Sequence, residues 1–287
     1  MRVCGEGDGE NIGKDIKKMK QFILLFTVCF LFALKANAQD DFVVIRDNDG
    51  FANARDSTAQ SGIIGKILKY QPFDCYMNPE DKGFRIDYPN MINIGYFEYA
   101  SEKGENYQRS VHDYESTAEG YIHKSRVYKL SQMPRLKLKT LSDSKVLYAN
   151  DSIQVTFKTA KFNPSKHQLK DYDGKLITDT NLEVLYEKEV FNVDGKRIWG
   201  FISKYHSKEI TSITISYNEK NYNLPISSFK NIFHPNFEDN YTKICIGFDG
   251  EIYIWMQNGD GGAGYNVIWV IVDGRLKYMY LYTSWYA

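Results

Sequence analysis

Asp-Gly pairs constrain this chain more than any other local feature. Past residue 38 they recur at 49–50, 173–174, 194–195, 249–250, 260–261 and 273–274. An Asp-Gly pair between two apolar runs is a strong short-range hairpin signal, because both residues tolerate positive φ. The clearest cases are Phe248-Asp249-Gly250-Glu251-Ile252-Tyr253-Ile254-Trp255 and Trp269-Val270-Ile271-Val272-Asp273-Gly274-Arg275-Leu276-Lys277-Tyr278. Clean alternation over 152–158, 212–217 and 243–248 adds further half-buried strands. Aromatic residues make up 15% of the chain, mostly Tyr and Phe, which favours strands over helices. The expected fold class is therefore mostly β. Short helices are expected only over Pro225–Phe233, with Pro225 in the first turn and Pro235 just past the end, and near Leu182–Glu189.

The first 38 residues read as a leader and signal peptide. Residues 1–18 are polar and Gly-rich, and an export signal is complete from Met19 onward, so the upstream residues look like an earlier start. Lys20 supplies the positive end, Phe22 to Leu34 the apolar run, and Ala36-Asn37-Ala38 a small-residue cleavage site. That run is shorter than the roughly 20 residues a membrane span needs, so no stable span is expected after cleavage. Export places the protein in the periplasm or outside the cell. Lys and Arg total 36 against 36 Asp and Glu, and the leader holds only six of the former and four of the latter. This balance gives no electrostatic reason to expect nucleic acid as a partner.

The exported part divides into 40–130 and 136–287, with Leu130-Ser131-Gln132-Met133-Pro134-Arg135 as the expected linker, since Pro134 disfavours helix in Met133. In the first part, Phe42-Val43-Val44-Ile45 has strand composition and Asp47-Asn48-Asp49-Gly50 is a turn. Phe51-Ala52-Asn53-Ala54-Arg55 alternates, a polar loop follows, and Ile63-Ile64-Gly65-Lys66-Ile67-Leu68 is a third strand. The best candidate fourth strand begins at Gly83-Phe84-Arg85-Ile86, and 89–119 reads as a long insertion rich in Tyr before Gly120-Tyr121-Ile122-His123.

The pattern Asn53-Ala54-Arg55, polar loop, Ile64-Gly65, with Gly120-Tyr121-Ile122-His123 as a last strand, resembles bacterial SH3-like domains. The resemblance implies a small β-barrel used for binding, often to cell-wall peptides or protein partners. It implies a ligand face holding Arg55, Tyr121 and His123. Tyr88 joins them only through its place in the presumed fourth strand. The block from Leu224 to Tyr282 loosely resembles uncharacterised secreted proteins of Bacteroidetes-like bacteria, which implies no activity.

Signs of chemistry are sparse. Gly259-Asp260-Gly261-Gly262-Ala263-Gly264 fits G-x-G-x-x-G, but a dinucleotide site needs a helix after it and Tyr265–Ile271 reads as a strand. Asp47-Asn48-Asp49-Gly50 and Asp171-Tyr172-Asp173-Gly174 lack the leading carboxylate of a calcium loop. Cys75 and Cys245 lie in apolar, strand-like runs, either as buried small hydrophobes or bridged; no His follows Cys245, which argues against a papain-like peptidase. No metal and no cofactor are expected. The expected function is a non-enzymatic binding protein for a cell-wall peptide or a protein partner. The alternatives are a cell-wall or glycan-acting enzyme with the C-terminal part catalytic, and an immunity or inhibitor protein.

Overall fold

The computed structural model describes residues 42–56, 62–74, 91–98, 108–110, 117–200, 202, 207–258 and 264–283. The segment read as a signal peptide, Cys75, the Gly83–Ile86 stretch expected to open a fourth strand, Tyr88 and the middle of the Gly-rich loop lie outside the described residues. The protein is mostly β, built from several antiparallel sheets.

The N-terminal part opens with β1 (Phe42–Ile45), β2 (Phe51–Arg55), β3 (Ile63–Leu68) and β4 (Phe73–Asp74). It continues through β5 (Met91–Glu98) and β6 (Gln108–Ser110) to β7 (Thr117–His123) and β8 (Val127–Lys129). β1 is paired on both sides, by β4 and β8, while β3, β2, β7 and β5 form a four-stranded sheet in that order. Val43, Ile45, Ala52, Ala54, Ile67, Phe73 and Ile122 meet in one small core. The turn from β1 to β2 is held by Asp47, whose carboxylate accepts the Asp49 N–H at 3.1 Å and pairs with Arg126. The strand beside β7 is β5, which falls inside the stretch read as an insertion. The insertion also sends β6 to the far edge of a C-terminal sheet, where it pairs parallel to β21 (Arg275–Thr283).

The C-terminal part is built on two five-stranded sheets facing each other. One holds β9 (Lys137–Leu141), β10 (Lys145–Ala149), β11 (Ile153–Lys161), β16 (Lys208–Tyr217) and β17 (Lys220–Asn223) in the order β17-β16-β11-β10-β9. The other runs β18 (Thr242–Ile246), β19 (Ile252–Asn258), β20 (Tyr265–Val272), β21 and β6. The sequence of β20, YNVIWVIV, does not alternate, because a strand buried on both faces has no polar side. Its residues 265, 267, 269 and 271 join the core between the two sheets. Ile268 and Val270 face the other way, onto Phe42, Val44, Leu130 and Met133 of the N-terminal part.

That second cluster explains the stretch read as a linker. Leu130 is fully buried, the Leu136 N–H donates to the Ile244 carbonyl at 2.9 Å, and the Ile246 N–H donates to the Pro134 carbonyl at 2.9 Å. Residues 134–136 thus extend the edge of β18, and Asp41–Ala287 is one compact unit. Cys245 is buried in the same cluster, and Arg135 bridges to it in the backbone.

A small lobe sits between β11 and β16. It contains β12 (Leu169–Lys170), β13 (Leu176–Ile177), α1 (Leu182–Glu187), β14 (Asn192–Val193) and β15 (Lys196–Arg197), with sheet order β13-β12-β14-β15. The Asn181 side chain caps α1 by accepting the Glu183 N–H at 3.0 Å. The helix expected over Pro225–Phe233 is only a 3-10 turn, Ile226–Ser228. Buried aromatic side chains hold the backbone of this segment instead. Trp269 Nε1 donates to the Ser228 carbonyl at 2.9 Å, the Tyr265 hydroxyl to the Phe233 carbonyl at 2.8 Å, and the Tyr148 hydroxyl to the Phe237 carbonyl. A longer helix would claim the first of these carbonyls for its own i→i+4 ladder. Among the described residues no helix is long and apolar enough to cross a membrane.

Candidate functional site

The period of two along β2 sorts its side chains between core and surface. Ala52 and Ala54 are buried in the small core, and Phe51, Asn53 and Arg55 are half-buried on the other face. β7 follows the same rule, with Ile122 inside and Tyr121 and His123 outside. Arg55 and Tyr121 are direct cross-strand partners, so they share that outer face about 5 Å apart. His123 lies two residues along the same strand. The structure therefore brings together three of the four site residues expected from sequence, Arg55, Tyr121 and His123. Tyr88, the fourth, lies outside the described residues.

On the other side of β2, Lys66 stands opposite Asn53, and its ammonium sits 4.1 Å from the centre of the Phe51 ring. A register shift between Ala54 and Arg55 places Ile63 opposite Arg55, where it is 55% exposed. The Ser125 N–H donates to His123 Nδ1 at 3.3 Å, and the Ser125 hydroxyl lies 2.7 Å from the same nitrogen. A neutral ring that accepts at Nδ1 carries its proton on Nε2. The Asn53 Oδ1 is shielded from solvent and accepts no hydrogen bond among the described residues. A sheltered acceptor left without a donor costs about 1–3 kcal/mol. This face thus offers two cations, two aromatic surfaces, an imidazole and an acceptor short of a donor. Such a set suits binding a peptide or protein with acceptor groups and N–H donors better than it suits bond cleavage. β3 is also an edge strand, a position to which an extended peptide adds in register.

A second cluster joins the small lobe to β16 and was not visible in the sequence. His167 Nδ1 lies 2.8 Å from an Asp194 carboxylate oxygen, and Nε2 lies 3.9 Å from Glu209. The Phe162 ring stacks on the imidazole with centroids 5.0 Å apart. Burial works against ionisation of Asp194, but the bonds from His167 and from the Gln168 N–H at 3.0 Å outweigh it and hold the carboxyl below its ordinary value. Burial pushes Glu209 up, only partly offset by His167 and Lys166. Asp194 comes from one of the Asp-Gly turns, a signal that points to a hairpin and says nothing of a His partner 27 residues away. Nothing in the spacing of 167, 194 and 209 marks them as neighbours.

A third acidic group is structural. Glu251 is buried, accepts the Asp249 N–H at 2.8 Å and the Tyr253 hydroxyl at 3.2 Å, and so locks the turn from β18 to β19. The G-x-G-x-x-G stretch connects β19 to its antiparallel neighbour β20, with Asn258 opposite Tyr265, so a strand follows it. Among the described residues no group of three or more His, Cys, Asp and Glu is placed to hold a metal ion.

No protein-family model, no curated protein and no solved structure matches this chain.

Proposed function

We propose that this is an exported, non-enzymatic binding protein whose N-terminal part is an SH3-like barrel. Its ligand face is the outer face of β3, β2 and β7, and its ligand is a cell-wall peptide or a protein partner. One observation carries the reading: Arg55 and Tyr121 are cross-strand partners, with His123 on the same strand face and the donor-starved Asn53 Oδ1 beside them. A peptide laid across the outer face of β3 and β2 supplies N–H donors to Asn53 and carboxylates to Arg55 and Lys66. The tyrosine ring supplies area with a polar tip.

A second reading, an enzyme acting on cell-wall or glycan material, draws on the His167, Asp194 and Glu209 cluster, a titratable group flanked by two carboxylates. One experiment separates the two. The full chain is sedimented with purified peptidoglycan, and the supernatant is analysed for released fragments. Retention without release supports a wall-binding module. Release of fragments overturns the non-enzymatic reading and puts the His167 cluster first. No retention removes the wall peptide as ligand, and a pull-down from the source cell then tests for a protein partner.

A further inference from the structure

The small lobe carries a second surface that the ligand face of the N-terminal sheet does not involve. Strand register sets Leu176, Lys170, Asn192 and Arg197 side by side in one row across β13, β12, β14 and β15. Their neighbours on the other face, Leu169, Ile177 and Val193, are buried, so the row faces outward. At the usual strand spacing, Lys170 and Arg197 stand about 10 Å apart with Asn192 between them.

Three features in and beside this row point the same way. Arg197 is exposed, and its guanidinium carbon lies 5.0 Å from the ring centres of both Phe191 and Trp199. The rings hold the guanidinium in place, while no carboxylate among the described residues pairs with Arg197 or Lys170. The acids on the neighbouring turn are already engaged: Asp173 pairs with Lys175 at 3.1 Å, and Asp171 accepts the Lys175 N–H at 2.8 Å. Tyr172 is 78% exposed, yet its ring is packed edge-on against Phe191 at 5.1 Å. An exposed ring already held in one orientation loses little freedom when a ligand lands on it. Finally, Asn192 Oδ1 is shielded from solvent by its neighbours and accepts no hydrogen bond among the described residues.

We propose that this face binds an acidic saccharide. Arg197 and Lys170 take the carboxylate, the Tyr172 ring stacks against the C–H face of the sugar, and Asn192 Oδ1 accepts from a hydroxyl once the side chains beside it give way. An acceptor set between two cations fits poorly with a phosphate, whose oxygens at neutral pH chiefly accept. It fits a ligand that carries hydroxyl donors beside a carboxylate. A fixed guanidinium matches the two oxygens of a carboxylate in a way an ammonium does not.

The test titrates the full chain with trigalacturonate, its methyl ester, tetraglutamate and inorganic phosphate, read by calorimetry and by tryptophan fluorescence, since Trp199 is part of the stack. Trigalacturonate binds, and the ester binds at least about tenfold more weakly because it lacks the charge that Arg197 recognises. Arg197→Lys keeps the charge and loses the fork, and also weakens binding by about tenfold. Tyr172→Ala weakens it by a similar factor, and Leu141→Ala, at an exposed position on β9, leaves it unchanged. Both lobe positions are exposed, and equal melting temperatures show that the variants fold. The proposal is overturned if trigalacturonate fails to bind at about 10 mM, above the weak end of ordinary affinities. It is overturned equally if the ester or phosphate binds as well, if tetraglutamate binds as tightly (which assigns the face to acidic peptides), or if Arg197→Lys and Tyr172→Ala have no effect.

Discussion

Phe42→Ala is the perturbation that most directly probes how the N-terminal part is attached. Phe42 is buried at the start of β1, and its ring meets Trp255 of β19 edge-on with centroids 5.1 Å apart. It belongs to the cluster that covers the outward side of β19 and β20, together with Leu130, Met133 and Val270. Truncating a buried Phe costs about 3–5 kcal/mol. For a domain of this size, each kcal/mol shifts the melting temperature by about 2–4 °C, so the expected fall is about 6–20 °C. The shared core makes a second expectation sharper than the size of the shift. The full chain melts in one transition seen alike by circular dichroism and tryptophan fluorescence, and Phe42→Ala moves that whole transition. Two separate transitions, with only the earlier one moved, would refute the claim that the two parts share a core.

Other outcomes follow from the same geometry. Gly274→Ala puts a Cβ 2.3 Å from the Tyr222 ring at a φ of +75°, while Gly174→Ala at a φ of +79° meets open space. Gly174→Ala therefore loses about 1 kcal/mol and Gly274→Ala clearly more, as urea titration of the two variants checks; equal losses would mean Tyr222 swings aside freely. Asp194→Asn keeps a residue type that tolerates the φ of +52° at this turn and removes only the charge. The Asp194 carboxyl is held below its ordinary value in the folded chain, so its contribution is present above that ordinary value and fades as pH falls through the lower, folded one. Because the group is partly exposed, the variant loses no more than about 1 kcal/mol at neutral pH. That difference vanishes in acid, and melting curves from pH 7 to pH 3 that stay parallel would contradict it.

Local features of this fold were legible in the sequence, and long-range ones were not. β1, β2 and β3 follow the runs 42–45, 51–55 and 63–68, because strand composition, alternation and turn residues are all local signals. The Asp273-Gly274 turn shows positive φ at both residues, as a two-residue hairpin demands. α1 forms where Asn181 supplies a cap, while the stretch after Pro225 does not, because Trp269 takes the Ser228 carbonyl from a side of the molecule no local pattern reveals. β6 pairs with β21 across some 170 residues of chain, and such a pairing leaves no periodic trace. Of the proposed ligand face, Arg55, Tyr121 and His123 come from resemblance to a family pattern. Asn53 and Lys66 required the register of β2 with β3. Asn192 and Arg197 required the register of a four-stranded sheet whose strands are only two residues long, too short for alternation to show.

The measurement that bears most directly on the ligand face compares retention of wild type, Arg55→Ala and Tyr121→Ala on purified peptidoglycan at matched concentration, each variant first shown to melt like wild type. Each side chain is proposed as an interface anchor, and losing such an anchor costs about 2 kcal/mol or more. The account predicts that each substitution weakens retention more than about tenfold, with Leu141→Ala at an exposed position on β9 as an unaffected control. Retention that is undiminished in both variants would show that the wall is held elsewhere and that this face is not the binding site.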